Sequence, residues 1–225
     1  MNSNENSELQ KEYYINKLYP FQDEIFGAIN SLEVNLYLTG GTALSRFYLN
    51  HRYSDDLDFF ANSSSTFIKD TDLIISKLKE KYEFEILRKT TDFIRANAIK
   101  NNIVLKLDFV NDVKYRCGNP EQFEKFRLVD SWWNILTNKL TALDRHEPKD
   151  VADILYLWRK FPIDWKKAFE EAGKKVVYID ALDISVILDE FPKDYLYKIN
   201  WIEAIEYDKA YSDIKLISKE ILEGK

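Results

Sequence analysis

The chain is poor in the residues that staple, anchor or steer a protein. It has a single cysteine, Cys117, in 225 residues, which leaves no internal disulfide and no cysteine-based zinc site. No apolar run approaches the roughly 20 residues that cross a bilayer. No block of lysine or arginine stands out, and 32 basic against 38 acidic side chains give a formal charge of −6. That argues against a strongly basic nucleic-acid binder but leaves room for a local basic face. Internal repeats and low-complexity segments are missing too. Residues 1–8 are polar and acidic, without the basic start and apolar core of a signal peptide. They read as a disordered tail on a cytoplasmic protein with no membrane segment, where the glycosylation match Asn62-Ser63-Ser64 has no consequence. The two histidines, His51 and His146, each stand beside an arginine and read as hydrogen-bonding or surface residues rather than metal ligands.

What is present is a folded composition. Apolar residues make up 45% of the chain, with 14 Tyr and 14 Phe, enough for one good core or two small ones. Residues 8–31 carry helical spacing through Phe21, Ile25, Ile29 and Leu32, with a break or bend at Pro20. Residues 34–38 predict a short strand, 42–49 a helix, 57–61 a second strand and 67–81 another helix. Strands follow over 83–88, 93–99 and 103–110. Lys100-Asn101-Asn102 joins the last two, its asparagines tolerant of positive φ. From Trp132 on strand signals almost vanish, and helices are predicted over 131–144, 148–160, 164–174, 180–190 and 201–223. The predicted class is α+β, with a mixed β-sheet flanked by helices over residues 1–125 and an α-helical domain over 126–225. The adjacent Trp132 and Trp133 read as core at that junction rather than as a base-stacking platform.

Two features carry chemistry. Gly40-Gly41-Thr42 stands at a strand-to-helix junction, where unpaired N–H groups and a positive dipole end attract phosphate. Glycine lets the backbone approach, and the Thr42 or Ser45 hydroxyl adds a hydrogen bond. The stretch is neither a P-loop nor a dinucleotide fingerprint; taken alone it reads as a tight turn with Thr42 as helix cap. Downstream, Asp56-Leu57-Asp58 puts two carboxylates on one face of a strand and turns Leu57 to the core. Carboxylates that close repel unless a cation lies between them, and Mg²⁺ suits such hard oxygen ligands. Asp108, near the end of the strand-forming run 104–110, supplies the third carboxylate of a two-metal phosphoryl-transfer site if its strand lies beside 57–60. Otherwise it is an edge aspartate paired with Lys106 or Arg95.

These residues resemble the nucleotidyltransferase superfamily related to DNA polymerase β. More narrowly, Gly40-Gly41-Thr42-Ala43-Leu44 followed by the run from His51 to Phe60, with Ser54-Asp55-Asp56-Leu57-Asp58-Phe59-Phe60 at its end, is similar to the AbiEii/AbiGii toxin family. Its members are nucleotidyltransferase toxins of abortive-infection, phage-defence and toxin–antitoxin systems. Asp108 in Lys-Leu-Asp-Phe-Val fits the family's second motif, and the stretch from Asn138 to Ile154 fits a third, a lysine followed by Lys/Arg-Asp-x-x-Asp. The resemblance covers residues 36 to 160. It implies a nucleotidyltransferase-like sheet domain, with the helical domain closing the nucleotide cleft. It implies Mg²⁺ on Asp56, Asp58 and Asp108, and NTP cradled by Gly40, Gly41, Thr42 and Ser45. Lys139 would touch the triphosphate, Asp150 would take part in nucleotide binding or catalysis, and Asp153 would support it. The acceptor hydroxyl it implies belongs to RNA, the tRNA 3′ end above all, with a separate antitoxin protein as restraint. The acidic composition leans instead to a small-molecule or protein acceptor, and a binding module that holds nucleotide and metal without transfer is the third alternative.

Overall fold

A computed structural model describes residues 3–224. In chain order its elements begin with α1 (Ser3–Tyr13), a π-helical turn over Tyr14–Leu18 and α2 (Tyr19–Asn30). Next come β1 (Tyr37–Thr39) and α3 (Gly40–Ala43), which runs directly into π-helical Leu44–Leu49. Then follow β2 (Leu57–Asn62), α4 (Phe67–Lys79), β3 (Glu83–Lys89), β4 (Phe93–Lys100) and β5 (Ile103–Asp112). The remainder is helical: α5 (Trp132–Leu140), α6 (Pro148–Lys160), α7 (Trp165–Gly173), α8 (Ala181–Asp189) and α9 (Tyr207–Glu223). The chain divides into two compact units. One takes in the chain up to Ala43, Ser54–Lys114 and Pro120–Asp130, and the other Leu44–Tyr53, Tyr115–Asn119 and the chain from Ser131.

The first unit is built on a five-stranded mixed sheet of order β1-β2-β5-β4-β3. β2 and β5 run parallel; every other pairing is antiparallel. Period-two alternation sorts the two faces. Leu57, Phe59 and Ala61 of β2, Ile94, Ala96 and Ala98 of β4, and Leu105, Leu107 and Phe109 of β5 are buried. Phe59 stacks on Phe109 at 5.6 Å, and Phe126 bridges Phe59 to Phe26 of α2. The opposite face carries Asp58, Arg95, Lys106 and Asp108. The β4–β5 turn has Asn101 and Asn102 at φ +50° and +63°, as the asparagine pair predicts.

Three local expectations differ. α1 begins at Ser3, so residues 3–8 are helical where the sequence predicts a disordered tail; Met1 and Asn2 lie outside the described residues. Pro20 does not break a helix. It occupies the first turn of α2, where its missing N–H is harmless, and the irregularity falls one turn earlier as π-helical Tyr14–Leu18. The last helix starts at Tyr207 rather than 201, because Trp201 is held in a bridge to Arg52.

The second unit is helical. α8 and α9 meet over small residues, with Ser185 Oγ and Ser218 Oγ 2.8 Å apart. Glu220 of α9 accepts hydrogen bonds from the indoles of Trp158 and Trp165. Trp132 is half-buried and stacks on Phe161 at 4.2 Å, while Trp133 is half-buried beside Lys167, so neither is the core residue expected. Among the described residues no helix is long and apolar enough to cross a membrane.

Candidate active site

Parallel pairing of β2 with β5 sets Asp58 directly opposite Asp108. Neighbouring strands are about 4.8 Å apart, so two carboxylates more than forty residues apart in sequence become side-by-side neighbours on one face. Asp56, two residues before Asp58, stands just ahead of β2. The rotamers answer the repulsion among them with local cations. Asp56 pairs with Lys106, and Asp108 accepts two parallel bonds from Arg95, Nε and Nη2 each at 2.7 Å. Among the described residues no three His, Cys, Asp or Glu side chains are gathered as a ready metal cage. The donor set nonetheless fits a hard divalent cation: three carboxylates, two of them in register, with Asp56 and Asp108 able to exchange a partly exposed ammonium or guanidinium for the ion. The Arg95 guanidinium is pushed above its ordinary value, first by its bonds to Asp108.

The glycine pair stands at the strand-to-helix junction the sequence predicts, as the first two residues of α3 directly after β1. Gly40 has φ +71°, and a Cβ there would lie 2.6 Å from Asp58 Oδ2. Only glycine accepts both the left-handed backbone and that approach. Gly41 follows within α3. Thr42 and Ser45 are buried, and both hydroxyls are already engaged: Thr42 Oγ1 with Ser54 Oγ and the Asp56 carbonyl, Ser45 Oγ with the Arg52 carbonyl. Thr42 is thus a clamp on the loop that presents Asp56 rather than a helix cap. Two further clamps went unread in the sequence. Fully buried Gln22 donates to the Ser54 and Asp55 carbonyls at 3.1 Å each, and Tyr14 donates to Asp55 at 2.6 Å. The signal for Gln22 is its place on the inward stripe of α2, between Phe21 and Ile25, where an amide has no reason to be unless it is bonded.

Within the second unit, α5 and α6 bring Lys139, Asp150 and Asp153 together. Lys139 Nζ lies 2.5 Å from Asp150 and 2.7 Å from Asp153. Asp153 is fully buried and also takes two bonds from Arg52 and one from His51. Burial opposes its charge, yet Arg52 and Lys139 outweigh burial and hold the carboxyl well below the usual carboxylate range. Burial likewise works against the Lys139 charge, but Asp153 and Asp150 hold its ammonium above the ordinary value. Burial pushes the His51 imidazole down, against Asp153, which raises it. His51 is therefore neutral, donating Nε2–H to Asp153, while its buried Nδ1 has no hydrogen-bond partner. Arg52 is buried against Asp153; His146 is exposed and closes a short helical turn at φ +54°.

Residues 26–127 match the family described as the nucleotidyl transferase AbiEii toxin of a type IV toxin–antitoxin system. No curated protein matches the chain significantly in sequence. Among solved structures, JHP933 from Helicobacter pylori is 20% identical with a TM-score of 0.62, over 89% of this chain and 90% of that one. A candidate nucleotidyltransferase from H. pylori is 19% identical with a TM-score of 0.61, over 89% of this chain and 93% of that one. At such identities the likeness is one of fold.

Proposed function

We propose, from the match of residues 26–127 to the nucleotidyl transferase AbiEii toxin family, that the protein moves a nucleoside monophosphate from NTP to an acceptor hydroxyl. The acceptor oxygen forms a new bond to the α-phosphorus, the bond from that phosphorus to the bridging oxygen breaks, and pyrophosphate leaves with the electron pair. The observation that carries this reading is the register Asp58 to Asp108 beside Gly40. Asp56, Asp58 and Asp108 would hold Mg²⁺, which when bound neutralises phosphate charge and lowers the pKa of a hydroxyl beside it. Gly40 and Gly41 let phosphate oxygens reach backbone N–H groups. Asp108 would receive the hydroxyl proton. Gln22, Tyr14 and Thr42 fix the loop that aims Asp56, and such positioning makes up much of phosphoryl-transfer catalysis. In the helical unit, Asp150 and Asp153 take two of the three Lys139 ammonium protons, and the third would face a nucleotide phosphate. The acceptor would be RNA, with the tRNA 3′ end as target, in the cytoplasm, under the restraint of an antitoxin.

Incubation with Mg²⁺, labelled NTPs and total RNA tests this. Label on tRNA that disappears with Asp58→Ala is the expected result. NTP binding with no transfer to any acceptor would leave only a binding module.

A further inference from the structure

The cross-strand register that joins Asp58 to Asp108 continues outward. Asp108 stands opposite Arg95 on β4, and Arg95 opposite Arg88 on β3. Asp58, Asp108, Arg95 and Arg88 thus form one row across four strands, on the face away from the core. Two strand spacings, about 10 Å, separate Asp108 from Arg88.

Like charges directly opposite one another on adjacent strands repel. Here both guanidiniums lie against one ring: Phe93 has the Arg88 Cζ 5.6 Å and the Arg95 Cζ 5.3 Å from its centroid. Asp108 compensates Arg95 alone, and its two bonds use two of the five N–H groups of that guanidinium. The Arg95 side chain is 43% exposed, so the other three N–H groups can be reached by a ligand. Arg88 is exposed and has no carboxylate partner among the described residues. The row therefore ends in an excess of positive charge carried by rigid planar forks, the geometry that matches phosphate oxygens.

We infer that Arg95 and Arg88 form the phosphate track that holds the acceptor strand behind its reacting hydroxyl. The inference rests on the transferase function proposed above and assigns residues of this chain to hold its second substrate. A donor triphosphate at Gly40 and Asp58 is bound at one end of the row, whereas Arg88 lies at the other. The phosphodiesters behind an acceptor 3′ hydroxyl supply what that far end lacks. The overall charge of −6 does not oppose this, because over a Debye length of about 8 Å the local row dominates.

The test is fluorescence anisotropy of a 5′-labelled single-stranded RNA with a 3′-deoxy end, titrated with the full-length protein over a range of salt. Arg88→Ala should bind several-fold more weakly, with a log–log salt slope shallower by about 0.7, the share of one single-strand phosphate. Arg88→Lys should keep most of that slope. Lys69→Ala, which removes the same charge from α4, should match wild type. Calorimetric titration with NTP separates the two sources of phosphate. If Arg88→Ala weakens NTP and not RNA, the row serves the donor and the inference falls; equal RNA affinity and slope in Arg88→Ala and wild type overturns it too. Label transfer by wild type to any acceptor would survive either result, so a failed track and a failed transferase are told apart.

Discussion

Gly40 has a left-handed backbone, and the Cβ it lacks would stand 2.6 Å from Asp58 Oδ2. Gly40→Ala must strain φ, at roughly 1–2 kcal/mol, and displace the Asp58 carboxylate as well. Its denaturation midpoint should fall accordingly, while nucleotidyl transfer drops far more than stability does; full transfer by a folded Gly40→Ala would show that Asp58 need not hold its place. Gly40 and the Asp-x-Asp pair were legible in the chain because their chemistry depends on short spacing. Gln22 and Tyr14 were not, since their partners at Ser54 and Asp55 lie more than thirty residues away. A buried glutamine that serves two backbone carbonyls looks, in sequence, like an interruption of an apolar stripe.

At the scale of elements, α6 shows how far local pattern reaches. Its span, Pro148–Lys160, is the predicted one, and Asp150 and Asp153 share a face by helical geometry alone. What they meet is tertiary: Lys139 from α5, and for Asp153 also His51 and Arg52 from the segment after the π-helical turn. The groups facing His51 are Asp153, Arg52, Lys139 and Tyr156. Burial lowers the His51 pKa below its ordinary 6.5, so below that pH the unfolded chain binds the extra proton and the folded one does not. Stability contributed by a neutral His51 is therefore full above 6.5 and lost as pH falls below it. Asp153, held well below 3.8, stays ionised across the same window and adds no slope. Unfolding free energy should decline on going from neutral pH to about 5, and His51→Gln should flatten that decline in denaturant titrations. An unchanged slope in the variant would mean that His51 titrates alike in both states.

For the molecule as a whole, ligand linkage gives the broadest check. Mg²⁺ with a non-transferable NTP analogue at about 100 times its Kd should stabilise the folded state by about 2.7 kcal/mol. For a chain of this length that is a rise in Tm of about 5–10 °C. The shift should vanish with chelator and in Asp58→Ala. A shift that persists in Asp58→Ala would place the nucleotide away from the carboxylate row.

The sequence by itself determined the α+β class, nearly every element, the turn at Gly40, the acids at 56, 58 and 108, and the likeness of residues 26–127 to the AbiEii family. All of these depend on spacing within one element or one turn, where periodicity and backbone sterics act directly. Only the tertiary structure decided the partners. Parallel pairing of β2 with β5 put Asp108 beside Asp58, and the same register extended the line to Arg95 and Arg88. Tertiary burial made Arg52 the counter-charge of Asp153. Strand order and register are settled by which faces pack against the core, and no local stretch of chain contains that information.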